Sequence, residues 1–340
     1  MVARYYEEIK EEGKVLSYLN QYFYKKEFLE RLEDIDIEEV DKIIFTGMGS
    51  SYFALFPGIV YLNQHNISAY AIPANKLLYY YKNLVKENTL LVFVSQSGES
   101  IEIRELLNIF KDHSLKLGVT NTYRSTLAKN LDRTLFLNAG EEKSTTSKTY
   151  LNTLAMVLKV CTIFTKEEID FKNISEKVDF YLKNEKRLID IFSSYFLGTN
   201  YIALLGRGPS LSTVYQGALV LKEAAHFYAE GFDTSDFRHG PLDMVSSGFR
   251  AIIFSPYDND EAFEKDVMLS EKIVSQGGYI LFITNRKLDK RIPIYTIDVE
   301  NPFLLPFLEI IPLQLMSCKI AWAKGIEPGT LTNIGKVVVK

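Results

Sequence analysis

Apolar and polar positions follow two periods along this chain. Short, mainly apolar runs occur at residues 41–45, 90–94, 117–120 and 134–137, and again at 201–205, 251–254, 279–283 and 294–297. Runs of this length without alternation predict strands covered on both faces, as in a parallel sheet. Most of them stop at glycine, asparagine or a hydroxyl residue. Between them, apolar residues three and four apart predict helices: Ile101, Leu106, Leu107 and Phe110 after the 90–94 run, and the stretches 53–63 and 149–164. Ahead of the first strand, Leu16, Leu19, Tyr22, Phe28 and Leu29 predict one or two helices over 3–35. Residues 166–187, with Phe171, Val178, Tyr181 and Leu182, predict a connecting helix.

Strands alternating with helices predict a doubly wound α/β fold, and the pattern occurs twice. Tyr201-Ile202-Ala203-Leu204-Leu205-Gly206-Arg207-Gly208 echoes Ile43-Ile44-Phe45-Thr46-Gly47-Met48-Gly49, each an apolar strand ending in Gly-x-Gly before a helix. An internal duplication is the economical reading. With the boundary near 192–200, the chain divides into residues 1–190, leading helices plus a first domain, and residues 191–340, a second domain with a C-terminal tail.

Composition narrows the classes. A chain of 340 residues with 47% hydrophobic content buries a sizeable core and has the length of about two domains. A net charge of −4 argues against a nucleic-acid partner, which needs a basic face, but leaves room for a small anion in a local pocket. Cys161 and Cys318 stand far apart and outside any CxxC, so neither a disulfide framework nor a zinc site is expected, and the cytoplasm is the expected compartment. Glu7, Glu8, Glu11 and Glu12 near the start leave no signal-peptide core. The apolar stretch 303–323 contains Glu309, Lys319, Pro306 and Pro312, which suits a buried helix better than a membrane span.

The candidate chemistry begins where the 90–94 strand stops in Ser95-Gln96-Ser97-Gly98-Glu99-Ser100. At a strand-to-helix turn the free N–H groups and the positive end of the helix dipole favour an anion, and Gly98 allows close approach. One serine there reads as an ordinary cap. Three hydroxyls and a glutamine around one glycine read as a phosphate cup. Ser50 and Ser51 form a second hydroxyl-rich turn facing the same way, because ligands of open parallel sheets bind beyond the carboxyl ends of the strands. The Gly47-x-Gly49 before them is half of a dinucleotide fingerprint, with Tyr52 in place of the third glycine, which argues against a nicotinamide cofactor. The stretch 141–148, with Ser144 and Thr146, reads equally as a capping segment or a ligand-facing loop. In the second half, Glu223 on an apolar helix is costly to bury unless paired or functional, and His239 in His239-Gly240-Pro241 is a second acid/base candidate. Glu223 and His226 have a metal-ligand spacing, but with four histidines and no second such pair a metal site is not expected.

Gly49-Ser50-Ser51-Tyr52, the Ser95 to Ser100 turn, Leu221-Lys222-Glu223 through His239-Gly240-Pro241-Leu242, and a tail through Asn333-Ile334-Gly335-Lys336 together resemble the sugar-isomerase (SIS) domain family. The likeness is to the isomerase half of glucosamine-6-phosphate synthase and to stand-alone SIS-type glucosamine-6-phosphate deaminases. It implies two tandem flavodoxin-like SIS domains, each a mainly parallel sheet flanked by helices. It further implies that Ser51, Ser95, Gln96, Ser97 and Ser100, with Ser50 close by, hold a sugar phosphate, and that Ser144 and Thr146 lie in a sugar-contacting loop. Glu223 then moves a proton between C1 and C2, His239 opens the sugar ring, and Lys336 forms an imine with the ketose or steadies its oxygen. No cofactor is implied. A homodimer with His239 reaching the neighbouring subunit is implied, and neither nucleic acid nor membrane is an expected partner. Val220 stands where the synthase has a further lysine, and Leu331-Thr332 replaces a Pro-Arg. The chain begins at the isomerase half without an N-terminal cysteine, so deamination of glucosamine 6-phosphate to fructose 6-phosphate is the expected activity. The alternatives are a phosphosugar isomerase or fructosamine-6-phosphate deglycase using the same groups, and a non-catalytic sugar-phosphate regulator.

Overall fold

A computed structural model describes residues 3–331 and Gly335. Three helices lead the chain, α1 (Arg4–Lys10), α2 (Glu12–Tyr22) and α3 (Lys26–Glu33), where the periodicity predicts one or two. The first sheet follows, with β1 (Lys42–Gly47), α4 (Ser50–Phe53), α5 (Phe56–Gln64), β2 (Ala69–Pro73), α6 (Ala74–Lys76), β3 (Thr89–Val94), α7 (Ile101–Ile109), β4 (Lys116–Thr120), α8 (Thr126–Asn130), β5 (Thr134–Phe136) and α9 (Lys148–Thr165). Then come α10 (Phe171–Lys183) and α11 (Glu185–Phe196), two helices where a single connection is expected, separated at Asn184. The second sheet repeats the plan in β6 (Tyr201–Gly206), α12 (Leu211–Ala225), β7 (Tyr228–Asp233), α13 (Thr234–Arg238), β8 (Arg250–Phe254), α14 (Asp260–Ser275), β9 (Tyr279–Thr284), β10 (Ile294–Thr296) and α15 (Leu305–Ala323).

Both sheets are parallel throughout and have five strands, ordered β2-β1-β3-β4-β5 and β10-β9-β8-β6-β7. These are the same order when each strand of the second set is matched to its counterpart, so the duplication extends to topology. The expected α/β fold with two flavodoxin-like sheets is therefore observed. In each sheet the strand that sequence patterning misses is the second, β2 and β7. Both are edge strands, and their outward residues Tyr70 and Tyr228 are exposed. In β7 the acidic Glu230 and Asp233 break the apolar run, and in β2 the run is short, poor in β-branched residues and ends at Pro73. The pairing of each is supplied from outside, by Ile43↔Ala69 to Gly47↔Pro73 and by Tyr201↔Tyr228 to Gly206↔Asp233.

The central strands are buried along their whole length in the first sheet, where β3 has no exposed position. Ile44, Leu91 and Phe93 pack with Ile103, Leu106 and Leu107 of α7. In the second sheet Leu205, Ile253 and Phe282 pack with Phe263 and Val267 of α14. A glycine on the first long helix of each repeat lets the last helix approach: a Cβ at Gly58 would meet Val157 of α9, and one at Gly217 would overlap Leu313 of α15. The expected helix at 53–63 is broken between Phe53 and Phe56, because Pro57 fits the first turn of a new helix and lacks the N–H that continuing the old one requires. The 303–323 stretch folds as α15. By length and composition it could cross a membrane, yet its apolar window is 89% buried within the protein.

The chain forms two compact units. One holds the segment through Lys10 and Lys177–Thr330, the other Glu11–Glu176 and Leu331. The first helix thus packs with the second sheet's unit. Tyr6 packs against Trp322 with the rings tilted by 58° and their centroids 5.6 Å apart, and its hydroxyl donates to Glu185 at 2.6 Å.

Candidate active site

In the first-sheet unit the chain leaves β1 toward β2 on one side and β3 on the other, which opens a crevice beyond the carboxyl ends of β1 and β3. The Ser95 to Ser100 turn lines it. Its backbone is fixed by bonds from Ser95 N–H to Val119 O at 3.0 Å, from Asn121 N–H to Gln96 O at 3.0 Å, and from Leu127 N–H to Gly98 O at 3.1 Å. Ser95 Oγ accepts from Gly98 N–H at 3.1 Å and lies 3.4 Å from Ser100 Oγ. Ser97 Oγ accepts from Glu99 N–H at 3.2 Å. Gly98 has φ +66° and packs so closely on Ser125 that a Cβ would overlap that side chain, so only glycine closes this turn. Ser95 is buried, while Gln96, Ser97 and Ser100 are half-buried. Ser100 occupies the N-cap position of α7 without bonding its own helix, its hydroxyl facing Ser95 Oγ instead.

A carboxylate beside an anion site would repel its ligand, and the fold deals with Glu99 directly. Its carboxylate turns onto the start of α8, accepting from Thr126 N–H and Thr126 Oγ1, each at 2.7 Å. Burial works to raise this carboxyl, but the two Thr126 bonds hold it below its ordinary value. Ser50 and Ser51, both half-buried, follow β1 at the neighbouring strand end. The turn therefore brings Ser95, Ser97 and Ser100 together as neutral donors around a helix start, with Ser50 and Ser51 on the adjoining strand. This arrangement suits a monophosphate.

The 141–148 stretch contains the cap of α9. Glu142, buried, accepts from Ser147 N–H at 3.0 Å, Ser147 Oγ at 3.2 Å, Thr149 N–H at 3.1 Å and Thr149 Oγ1 at 2.6 Å. Ser144 is buried in this loop and Thr146 half-buried. The patterning highlighted the hydroxyls and passed over the glutamate that organises them. Its signal is the pair Glu141-Glu142 followed by Ser147 and Thr149 at a helix start.

Glu223 and His239 belong to the second-sheet unit, on segments that flank β7. Glu223 is half-buried near the end of α12. His226 leaves that helix with φ 45° as its left-handed cap and is exposed, so the two do not form a helical ligand pair. Among the described residues no group of His, Cys, Asp and Glu is placed to hold a metal. His239 caps the end of α13 and is exposed, its N–H bonded to Asp236 O at 3.0 Å. Lys336 lies outside the described residues.

This sheet has its own switch point, between β6 and β8, where Phe254-Ser255-Pro256-Tyr257-Asp258 stands in place of a Ser-x-Ser turn and nothing in the sequence marks an ion pair. Arg207 grips Asp266 through Nε to Oδ2 at 2.6 Å and Nη2 to Oδ1 at 2.7 Å. Arg207 Nη2 also donates to Thr234 Oγ1 at 3.0 Å, and Ser255 Oγ donates to Asp266 at 2.8 Å. Burial raises the Asp266 carboxyl, and the Arg207 guanidinium draws it back. Nearby Asp258 is also pushed up by burial.

Residues 36–159 and 196–323 match the SIS domain. The chain belongs to the SIS domain family. It is 28% identical over 323 residues to the isomerizing glutamine–fructose-6-phosphate aminotransferase of Thermococcus kodakarensis, across 89% of this chain and 53% of the relative. The chain spans about half the length of the curated relatives it matches. Among solved structures it superposes on the C-terminal domain of glucosamine-fructose-6-phosphate aminotransferase from Francisella tularensis with a TM-score of 0.80, at 23% identity over 96% of this chain and 98% of the other. Glucosamine-6-phosphate deaminase from Thermotoga maritima superposes with a TM-score of 0.73, at 22% identity over 98% of each chain. The two matched segments contain the two five-stranded sheets, so this protein carries two SIS domains, one with a hydroxyl-rich turn beyond its central strands and one with an ion pair there.

Proposed function

We propose that this SIS protein converts glucosamine 6-phosphate and water to fructose 6-phosphate and ammonia. The observation that carries the reading is the Ser95 to Ser100 turn: a dianionic phosphate suits a helix start ringed by hydroxyls whose one carboxylate, Glu99, is already engaged by Thr126. The names of the relatives above describe chemistry on the same pair of hexose phosphates, which supports the substrate class.

In this reading the turn holds the phosphate while His239 protonates the ring oxygen and opens the pyranose. Glu223 removes the proton at C2 and returns it at C1, passing through an enolamine. Water then adds to the resulting C2 imine and ammonia leaves, with Lys336 available to exchange with that imine. The cup reads phosphate and is indifferent to the 2-substituent. Ketose–aldose isomerisation of an unaminated sugar phosphate is therefore the second reading.

The test is release of ammonia and fructose 6-phosphate by the purified protein, run beside Glu223→Gln. Equal amounts of both products, lost about a hundred- to ten-thousandfold in the variant, support the proposal. Turnover without ammonia would favour the isomerase reading, and binding without turnover a regulator.

A further inference from the structure

The Arg207 network does more than fill the second crevice. Thr234, its third member, is the first residue of α13, a helix of five residues that ends at His239. So short a helix has little stability of its own and takes its place from its anchors. There are three. Asp233 caps it by accepting from Ser235 N–H at 2.7 Å. Phe237, fully buried, packs against Phe232 and Phe249 with ring centroids 5.4 Å and 5.9 Å away. Thr234, also fully buried, accepts from Arg207 Nη2. Only the last anchor ties α13 to another loop through a rigid, charged group. The guanidinium is held in plane by two bonds to Asp266, which is itself bound by Ser255 on the loop after β8. His239, exposed at the far end, has no such tether of its own.

We propose that Arg207 is a positioning residue for His239: paired with Asp266, it fixes Thr234, and Thr234 fixes the helix that presents the imidazole. The inference rests on the reading of His239 as the ring-opening acid. Its structural half stands apart from that reading and is measured separately.

Thr234→Val keeps the two Arg207–Asp266 bonds and removes the hydroxyl through which α13 is tied to that pair, while Thr234→Ser keeps the hydroxyl. Imidazole carbon–proton NMR resolves this, since the chain has four histidines and His239→Ala identifies the signal. In Thr234→Val the His239 signal is expected to shift or broaden while those of His65 and His113 stay, and Thr234→Ser is expected to restore it. In the ammonia-release assay kcat falls about ten- to a hundredfold in Thr234→Val with KM unchanged, and the same substitution adds no further loss in His239→Ala. An unmoved His239 signal overturns the positioning role whatever the kinetics. Losses that multiply in the double variant overturn it too, because Thr234 would then act elsewhere. Absence of turnover in the unaltered protein counts against the proposed reaction alone and leaves the NMR arm to decide the tether.

Discussion

The two SIS domains have the same strand order and opposite contents at the same place. Beyond β1 and β3 the Ser95 to Ser100 turn presents neutral hydroxyls, and its one carboxylate, Glu99, is bound to Thr126. Beyond β6 and β8 the same place is filled by the chain's own salt bridge between Arg207 and Asp266, with side chains 12% and 1% exposed. Topology makes a crevice in both cases; side-chain chemistry decides whether it awaits an anion. Neutral hydroxyls and N–H groups cost little to leave hydrated, so that crevice can stay open. A guanidinium taken out of water requires a carboxylate, and here the fold supplies one permanently.

The largest expected effect tests the closed crevice. Asp266→Ala removes the carboxylate that takes two of the guanidinium's bonds, leaving only Thr234 and the nearby Asp258 to answer Arg207, and is expected to cost about 3 kcal/mol in denaturant unfolding. Phosphate binding by the first domain, followed by calorimetry with inorganic phosphate, stays unchanged where the protein remains folded. Unaltered stability would mean that the ion pair does not close the second crevice.

A second contrast lies in the last helix of each repeat. α9 has no acidic residue, whereas α15 buries Glu309, whose oxygens accept from Ser210 Oγ and Thr213 Oγ1 at 2.8 Å each. Burial raises this carboxyl from 4.5 to about 7, against the two hydroxyl bonds, which lower it. With the folded value above the unfolded one, the folded state keeps its proton where the unfolded chain has lost it. The contribution of Glu309 to stability is therefore fully present below about pH 4.5, is lost as pH rises toward 7, and is level above that. The integrated loss is ~3 kcal/mol. Glu309→Gln removes this slope, and an identical pH profile of unfolding for variant and parent would show that the buried carboxyl does not titrate in that window.

The smallest effect sharpens the open crevice. Gly98→Ala places a Cβ against Ser125 at positive φ and is expected to cost about 1–3 kcal/mol of stability. Phosphate affinity is expected to fall with it, as the Ser95 and Ser97 hydroxyls lose their register. Calorimetry showing full affinity in the variant would remove the turn from the binding site.

Much of this was legible in the chain because it is local. Buried strands announce themselves as apolar runs, and the Ser95 to Ser100 turn is a hydroxyl cluster within six positions. β2 and β7 were not legible, since an edge strand owes its pairing to the neighbour; β7 carries a mixed pattern, and β2 is a short alanine-containing run that stops at Pro73. Glu142 was passed over because its hydroxyl neighbours gave the stronger signal. In the 303–323 stretch Glu309 marked the helix as buried, but its partners on α12 were out of view.

By itself the sequence determined two repeats of alternating strands and helices and the phosphate-like turn in the first, because periodicity and turn chemistry are properties of neighbours in the chain. Only the tertiary structure decided that α1 packs with the second sheet's unit, that Arg207 meets Asp266 across 59 positions, and that Glu309 meets Ser210 across 99. Those pairings are chosen by burial: a charge removed from water must find whatever partner the fold brings within reach, and no local pattern records which one that is.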